Sequence, residues 1–139
     1  MPSAHRYSGS FVCSMCLLWG SISGCAAKLN DSREVTVESV TVKSVIYDAV
    51  RRDRRIGVTV KAPVDLDVYV VLEEDQQAAV KALENNKTPA NVLASLKKTR
   101  AGALGVMQFP VPSGKGFAVL LYSRGHPQDV KVQLTVREF

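Results

Sequence analysis

Residues 130–136 read Val-Lys-Val-Gln-Leu-Thr-Val, apolar and polar side chains in strict alternation. That period confines the segment to an extended strand with one buried face, because same-face neighbours on a helix sit three and four residues apart. Ile56, Val58 and Val60 repeat the pattern against Gly57, Thr59 and Lys61, and Leu66, Val68, Val70 and Leu72 repeat it against Asp65, Asp67, Tyr69 and Val71. Both read as half-buried strands. Valine dominates these runs while aromatic residues make up only 6%, which favours strands around a modest, β-branched core. Phe117, Val119 and Leu121 are apolar on one parity and Ala118, Leu120 and Tyr122 on the other, so this strand is expected to be central. Ser113-Gly114-Lys115-Gly116 and Gly125-His126-Pro127-Gln128 make the turns beside it. A chain of 139 residues holds one such domain. The expected class is mainly β, a small two-sheet β-sandwich with a short helical insertion.

Three stretches carry mixed signals. Between Glu34 and Tyr47, Val35 and Val37 share one parity but Val40 and Val42 share the other, which predicts a bulge or a break near Ser39. Glu73-Glu74-Asp75 before Gln76–Leu83 places negative charge at a helix start, and Asn85-Asn86 ends the helix expected over 74–85, with Val80 and Leu83 as its apolar stripe. Residues 90–98 fit a helix with Val92, Leu93 and Leu96 inward, or a strand on which Val92, Ala94 and Leu96 alternate. The strand is preferred because it would give a partner to the strand Leu104–Val111, which Pro110 and Pro112 close.

Ahead of this domain the chain changes character. Residues 1–10 are polar and carry Arg6 and the terminal amine, an apolar run follows from Phe11 to Trp19, and small residues lead to Gly24 and Cys25. A basic start, an apolar stretch and small residues at its end are the parts of a secretory signal. A membrane-spanning helix needs about 20 apolar residues, more than this run supplies. Ile22-Ser23-Gly24-Cys25 resembles the lipobox of bacterial lipoproteins. The resemblance implies cleavage between Gly24 and Cys25, a diacylglyceryl thioether on the Cys25 sulfur, and acylation of the new amine by a fatty acid such as palmitate. It therefore implies a covalent lipid and no other cofactor, a membrane as partner, and residence in the cell envelope. Ala26, standing where aspartate would redirect sorting, implies the periplasmic face of the outer membrane if the source has two membranes. Each buried methylene contributes about 0.8 kcal/mol, so two or three chains anchor stably. The chain then divides into a signal peptide (1–24), a lipidated cysteine with a polar tether (25–33) and the β-sandwich (34–139). Cys13 and Cys16 have redox-pair spacing but lie inside the apolar run, and no disulfide can staple the mature domain.

Asp65-Leu66-Asp67-Val68-Tyr69-Val70, together with Pro112 through Val119 and the last alternating strand, resembles the small β-sandwich modules beside secreted bacterial enzymes, the pre-peptidase carboxy-terminal type. That resemblance implies an accessory role rather than catalysis, and the insertion at 74–85 departs from it. The densest charge cluster is Arg51-Arg52-Asp53-Arg54-Arg55, expected in a turn between strands. Arg51, Arg52, Arg54 and Arg55 are candidates to touch an anionic surface, headgroups, lipopolysaccharide phosphates or an acidic partner. The plainer alternative is a solvated hairpin end that discourages wrong edge pairing.

Net charge is +5, and only Arg6 lies in residues 1–24, so cleavage leaves +4. That is too mild to call for nucleic acid, and no basic run is interleaved with aromatics. Asp65 and Asp67, even with Glu73, Glu74 and Asp75, offer calcium only part of the about six to eight oxygens it takes, so no metal is expected. His126 stands near Ser123 and Asp129, but adjacency in a turn is not the geometry of a catalytic triad, and no enzyme is expected. The leading expectation is a membrane-anchored, non-enzymatic interaction module whose partner is an envelope protein or polymer. The alternative is a small-ligand or glycan-binding domain, with a pocket lined by Tyr47, Tyr69 or Tyr122. A hydrolase built around His126 ranks third.

Overall fold

Alternating valines do fold into two stacked sheets. The computed structural model describes residues 28–39, 41–99, 102–123 and 127–139. Its strands are β1 (Asn30–Val37), β2 (Val42–Tyr47), β3 (Arg54–Lys61), β4 (Leu66–Leu72), β5 (Val92–Thr99), β6 (Leu104–Val111), β7 (Phe117–Tyr122) and β8 (Val130–Glu138). A 3-10 turn at Glu73–Asp75 leads into helix α1 (Gln76–Glu84) between β4 and β5. One sheet has the order β1-β8-β3-β6 and the other β2-β7-β4-β5. Every pairing is antiparallel. Only β4 and β5 are both consecutive and paired; every other connection crosses from one sheet to the other.

The parity change near Ser39 is one of those crossings. Val35 and Val37 point into the core from the first sheet, and Val45 and Tyr47 point into it from the second. The alternation restarts because the chain has changed sheets; Val40 lies outside the described residues. β1 begins at Asn30, earlier than the Glu34 start expected, and residues 30–33 pair with β8 instead of serving as tether.

Between the sheets, Ile56, Val58, Val60, Val132, Leu134 and Val136 meet Leu66, Val68, Val70, Phe117, Val119 and Leu121, all at most 1% exposed. Phe109 sets its ring edge against Phe117 at 5.5 Å between centroids, and Phe117 stacks on Tyr47 at 5.0 Å. These arrangements add about 0.5–1.5 kcal/mol per pair beyond area burial.

The second sheet has a further layer. Helix α1 lays Ala79 and Leu83 over Tyr69, Val71, Ala118 and Leu120, with Val80 partly buried beside them. This corrects the expectation that β4 is half-buried: both its faces are covered, one by the opposite sheet and one by the helix. β7 is central, as its apolar residues on both parities require. The helix ends where Asn85-Asn86 was expected to end it. Asn86 adopts φ 57°, its amide donates to the Leu83 carbonyl (3.0 Å), and the Lys87 amide donates to that of Ala82 (2.8 Å). That double bond is the Schellman closure, with asparagine taking the left-handed position that glycine usually fills.

Residues 92–99 are strand, the preferred reading, but the reason given for it is corrected. β5 pairs with β4, while β6 pairs with β3 in the opposite sheet. Gly102, at φ 73°, turns the chain between them, its amide donating to the Ala62 carbonyl at 2.7 Å. The β4–β5 register shifts at two places, which is why residues 90–98 keep neither a clean strand period nor a clean helical one.

Phe117→Ala is expected to cost about 3–5 kcal/mol in urea denaturation, because it removes the ring between Phe109 and Tyr47. Val106→Ala, on an exposed position of β6, should change stability by less than about 0.5 kcal/mol.

Candidate functional site

The start of β1, the end of β2 and the start of β3 lie together at one end of the sandwich. Leu29 is held there at both backbone atoms: the Glu138 amide donates to its carbonyl (3.0 Å), and its own amide donates to Glu138 Oε2 (3.3 Å). The other oxygen of Glu138 meets Arg54 Nη1 at 2.6 Å, with the Glu138 side chain only 6% exposed. One largely buried carboxylate therefore ties the chain's entry point to β3, and removing Arg54 would leave that carboxylate buried without its cation.

Beside it, Asp31 Oδ2 accepts from Arg33 Nε (2.7 Å) and from the Tyr47 hydroxyl (2.8 Å). The Arg33 guanidinium also lies 5.7 Å from the Tyr47 ring centroid, within reach of a cation–π contact. The hydrogen bond from Arg33 holds the Asp31 carboxyl below its ordinary value, with Tyr47 adding to the effect and burial opposing it. Burial, then the bond to Asp31, pushes the Tyr47 hydroxyl well above its ordinary value. Arg33 was legible in principle, since it shares the inward parity of Val35 and Val37 at the end of β1.

The loop 48–53 carries Arg51 and Arg52 and is fastened to the 112–116 turn. The Val50 amide donates to the Lys115 carbonyl (3.1 Å) and the Gly114 amide to the Val50 carbonyl (2.7 Å). The Ser113 amide donates to Asp53 Oδ1 (2.7 Å), and its hydroxyl to the Arg51 carbonyl (2.9 Å). Gly114 takes φ 79°, and a side chain at Gly116 would press on the Tyr47 carbonyl and the Glu73 carboxylate. Both glycines are thus required for the two loops to meet.

The arginine cluster divides accordingly. Arg51 and Arg52 are exposed and form no ion pair among the described residues, whereas Arg54 is paired with Glu138 and Arg55 donates from Nε to Gln108 Oε1 at 3.2 Å. Arg33, Arg51, Arg54, Tyr47, Glu138 and Leu29 together border a cavity of about 540 Å³. Gly24, Cys25 and His126 lie outside the described residues. Ser123 is buried with no hydrogen-bond partner for its hydroxyl among those residues, and Asp129 accepts from the Ser39 amide at 3.2 Å. A second cavity, of about 330 Å³, opens beside α1 and is lined by Asp67, Tyr69, Leu83, Lys87, Thr88 and Tyr122. Asp67 is 1% exposed.

No protein-family profile matches the chain, and no curated protein matches it in sequence. Solved structures do match its fold. The pre-peptidase carboxy-terminal domain of a Bacillus anthracis collagenase aligns over 78% of this chain and 89% of its own, with TM-score 0.54 and 15% identity. The Aeromonas hydrophila periplasmic inhibitor of g-type lysozyme aligns over 81% and 89%, with TM-score 0.58 and 11% identity. The K1 cleaved adhesin domain of Porphyromonas gingivalis W83 Lys-gingipain aligns over 82% and 98%, with TM-score 0.52 and 10% identity. At these identities the likeness is one of fold alone, a β-sandwich, and the resemblance to pre-peptidase carboxy-terminal modules holds at that level.

The Asp31–Tyr47 pair makes stability depend on pH at both extremes. Asp31 titrates below its ordinary 3.8 when folded, so its contribution is present above that pH and lost as pH falls through the folded value. Tyr47 titrates above its ordinary 10.0 when folded, so its contribution is present below pH 10.0 and lost as pH rises beyond it. Thermal melts of Tyr47→Phe, which keeps the ring stack, should lack this tyrosine's share of the alkaline loss.

Proposed function

We propose that this protein is a cell-envelope lipoprotein, cleaved before Cys25, whose β-sandwich works as a non-enzymatic interaction module at a membrane surface. The observation that carries the reading is where the chain enters the domain. Leu29 borders the same cavity as Arg33, Arg51 and Arg54. Only residues 26–28 separate it from Cys25, and at most ~3.6 Å per residue they cannot carry that end far from an anchored cysteine. A lipid on Cys25 would therefore hold the arginine-bearing end against the headgroups. The loop that carries Arg51 and Arg52 has its backbone fastened to the 112–116 turn, which limits the backbone freedom lost on contact. The fold supports the reading in its turn, since its neighbours are named as a carboxy-terminal domain of a collagenase, a lysozyme inhibitor and an adhesin domain.

A second reading has an observation of its own. The cavity beside α1 has two of the three candidate tyrosines, Tyr69 and Tyr122, on its wall together with Asp67. A small polar ligand could be held there between aromatic rings and a carboxylate.

Membrane fractionation tests the leading reading. Wild type should partition with membranes and detergent, and Cys25→Ala with the soluble fraction; identical fractionation of the two would refute the anchor. In Cys25→Ala, the further change Arg51→Glu/Arg52→Glu should weaken binding to phosphatidylserine vesicles by at least about tenfold, since each basic residue near such a surface adds about 1 kcal/mol.

A further inference from the structure

The outer face of the first sheet is chemically unlike its buried side, and the strand registers arrange it in rows. Ser32, Thr135, Thr59 and Val106 lie side by side across all four strands, with the Ser32 and Thr135 hydroxyls 3.1 Å apart. On one side of that row stand Asn30, Arg137, Gly57 and Gln108, followed by Arg55 beside Pro110. On the other stand Glu34, Gln133, Lys61 and Leu104, followed by Thr36 beside Lys131. The exposed Arg55, Arg137, Lys61 and Lys131 thus form two cationic pairs with a hydroxyl and amide band between them. Glu34 is the one carboxylate in these rows. It accepts from Gln133 Nε2 (3.1 Å) and lies 3.9 Å from Lys131 Nζ, so against the four cations it leaves these rows clearly positive.

Edge protection does not account for these cations, because β3 and β8 are the two central strands of their sheet. Lys61, Lys131 and Gln133 also border a shallow depression of about 370 Å³ with Ala62, Pro63 and Gly102. The Phe139 ring, 55% exposed, lies against Gly57 where a side chain would otherwise stand.

We propose that this face binds an acidic glycan lying along the strands. Arg137 and Lys61 are about 14 Å apart at ~3.4 Å per strand residue, a spacing that suits charges carried on separate sugars. The hydroxyl and amide band matches the sugar hydroxyls, and the Phe139 ring offers a stacking surface. Nucleic acid fits less well. A duplex carries a charge about every 1.7 Å of its axis, and single-strand sites line up successive aromatics, whereas this face has one. The inference names a polymer class for the proposed interaction module and rests on that reading only for the non-enzymatic role. It requires no lipid on Cys25, so membrane association that persists without glycan binding would sink this inference alone.

The test is fluorescence anisotropy of labelled polygalacturonate oligosaccharides titrated with the full chain in mild detergent, with dextran and poly(dT) as comparators. Polygalacturonate should bind with an affinity that falls steeply with salt, and dextran should not bind. Lys61→Gln/Lys131→Gln and Arg55→Gln/Arg137→Gln, each checked for an unchanged melting curve, should weaken binding by about tenfold or more and flatten the salt dependence. Arg51→Gln/Arg52→Gln, at the end of the sandwich, should stay within about twofold of wild type. Phe139→Ala should weaken binding without altering the salt slope. Absence of polygalacturonate binding, full binding by both paired variants, or equal affinity for poly(dT) would each overturn the proposal.

Discussion

Apolar contact between the two sheets is the interaction on which everything else rests. Cys13, Cys16 and Cys25 all precede the domain, so no disulfide can close it, and Phe109, Phe117 and the valines between them must hold it together. Because nearly every connection crosses between sheets, neither sheet can form from local hairpins alone. The pairing of β1 with β8 joins residues about a hundred positions apart, and such long-range pairing slows folding. The helix adds a smaller layer on one side, and among the described residues no element covers the outer face of the first sheet.

The same geometry decides where charge collects. Glu138 closes the last strand and meets both Leu29 and Arg54, so the first and last described strands are locked at the end where the tether would enter. A residue in the last strand thereby sets how the domain would stand on a membrane. The loop that carries Arg51 and Arg52 is held in place by Gly114, whose amide donates to the Val50 carbonyl, and by the Asp53 carboxylate, which accepts from the Ser113 amide.

Much of this was legible in residue order. The alternation in β3, β4 and β8, the central place of β7, the helix and its asparagine ending all follow from local chemistry. The parity slip at Ser39 showed that something breaks there, but whether a bulge or a change of sheet depends on partners far away in the chain. The mate of β5 was misjudged for the same reason: adjacency in sequence favoured β6, whereas the edge left open beside β4 was the place the strand filled. The burial of Tyr69 and Val71 could not be read either, because only the packed helix hides that outer face of β4. At the candidate site, the arginine run was visible as charge, but not its division into Arg54, paired with Glu138, and Arg51 and Arg52, which form no ion pair among the described residues.

Sequence alone determined that this chain makes valine-rich strands with one short helix, since side-chain period and turn chemistry act over a few residues. It also set the lipobox-like Ile22-Ser23-Gly24-Cys25 at the head of the domain. Tertiary structure decided which strands pair, which charges are neutralised, and which face stays open, because those outcomes depend on register between residues tens of positions apart. Lys61 and Lys131, separated by seventy residues, end on neighbouring strands through the β3–β8 register, a juxtaposition that no local pattern encodes.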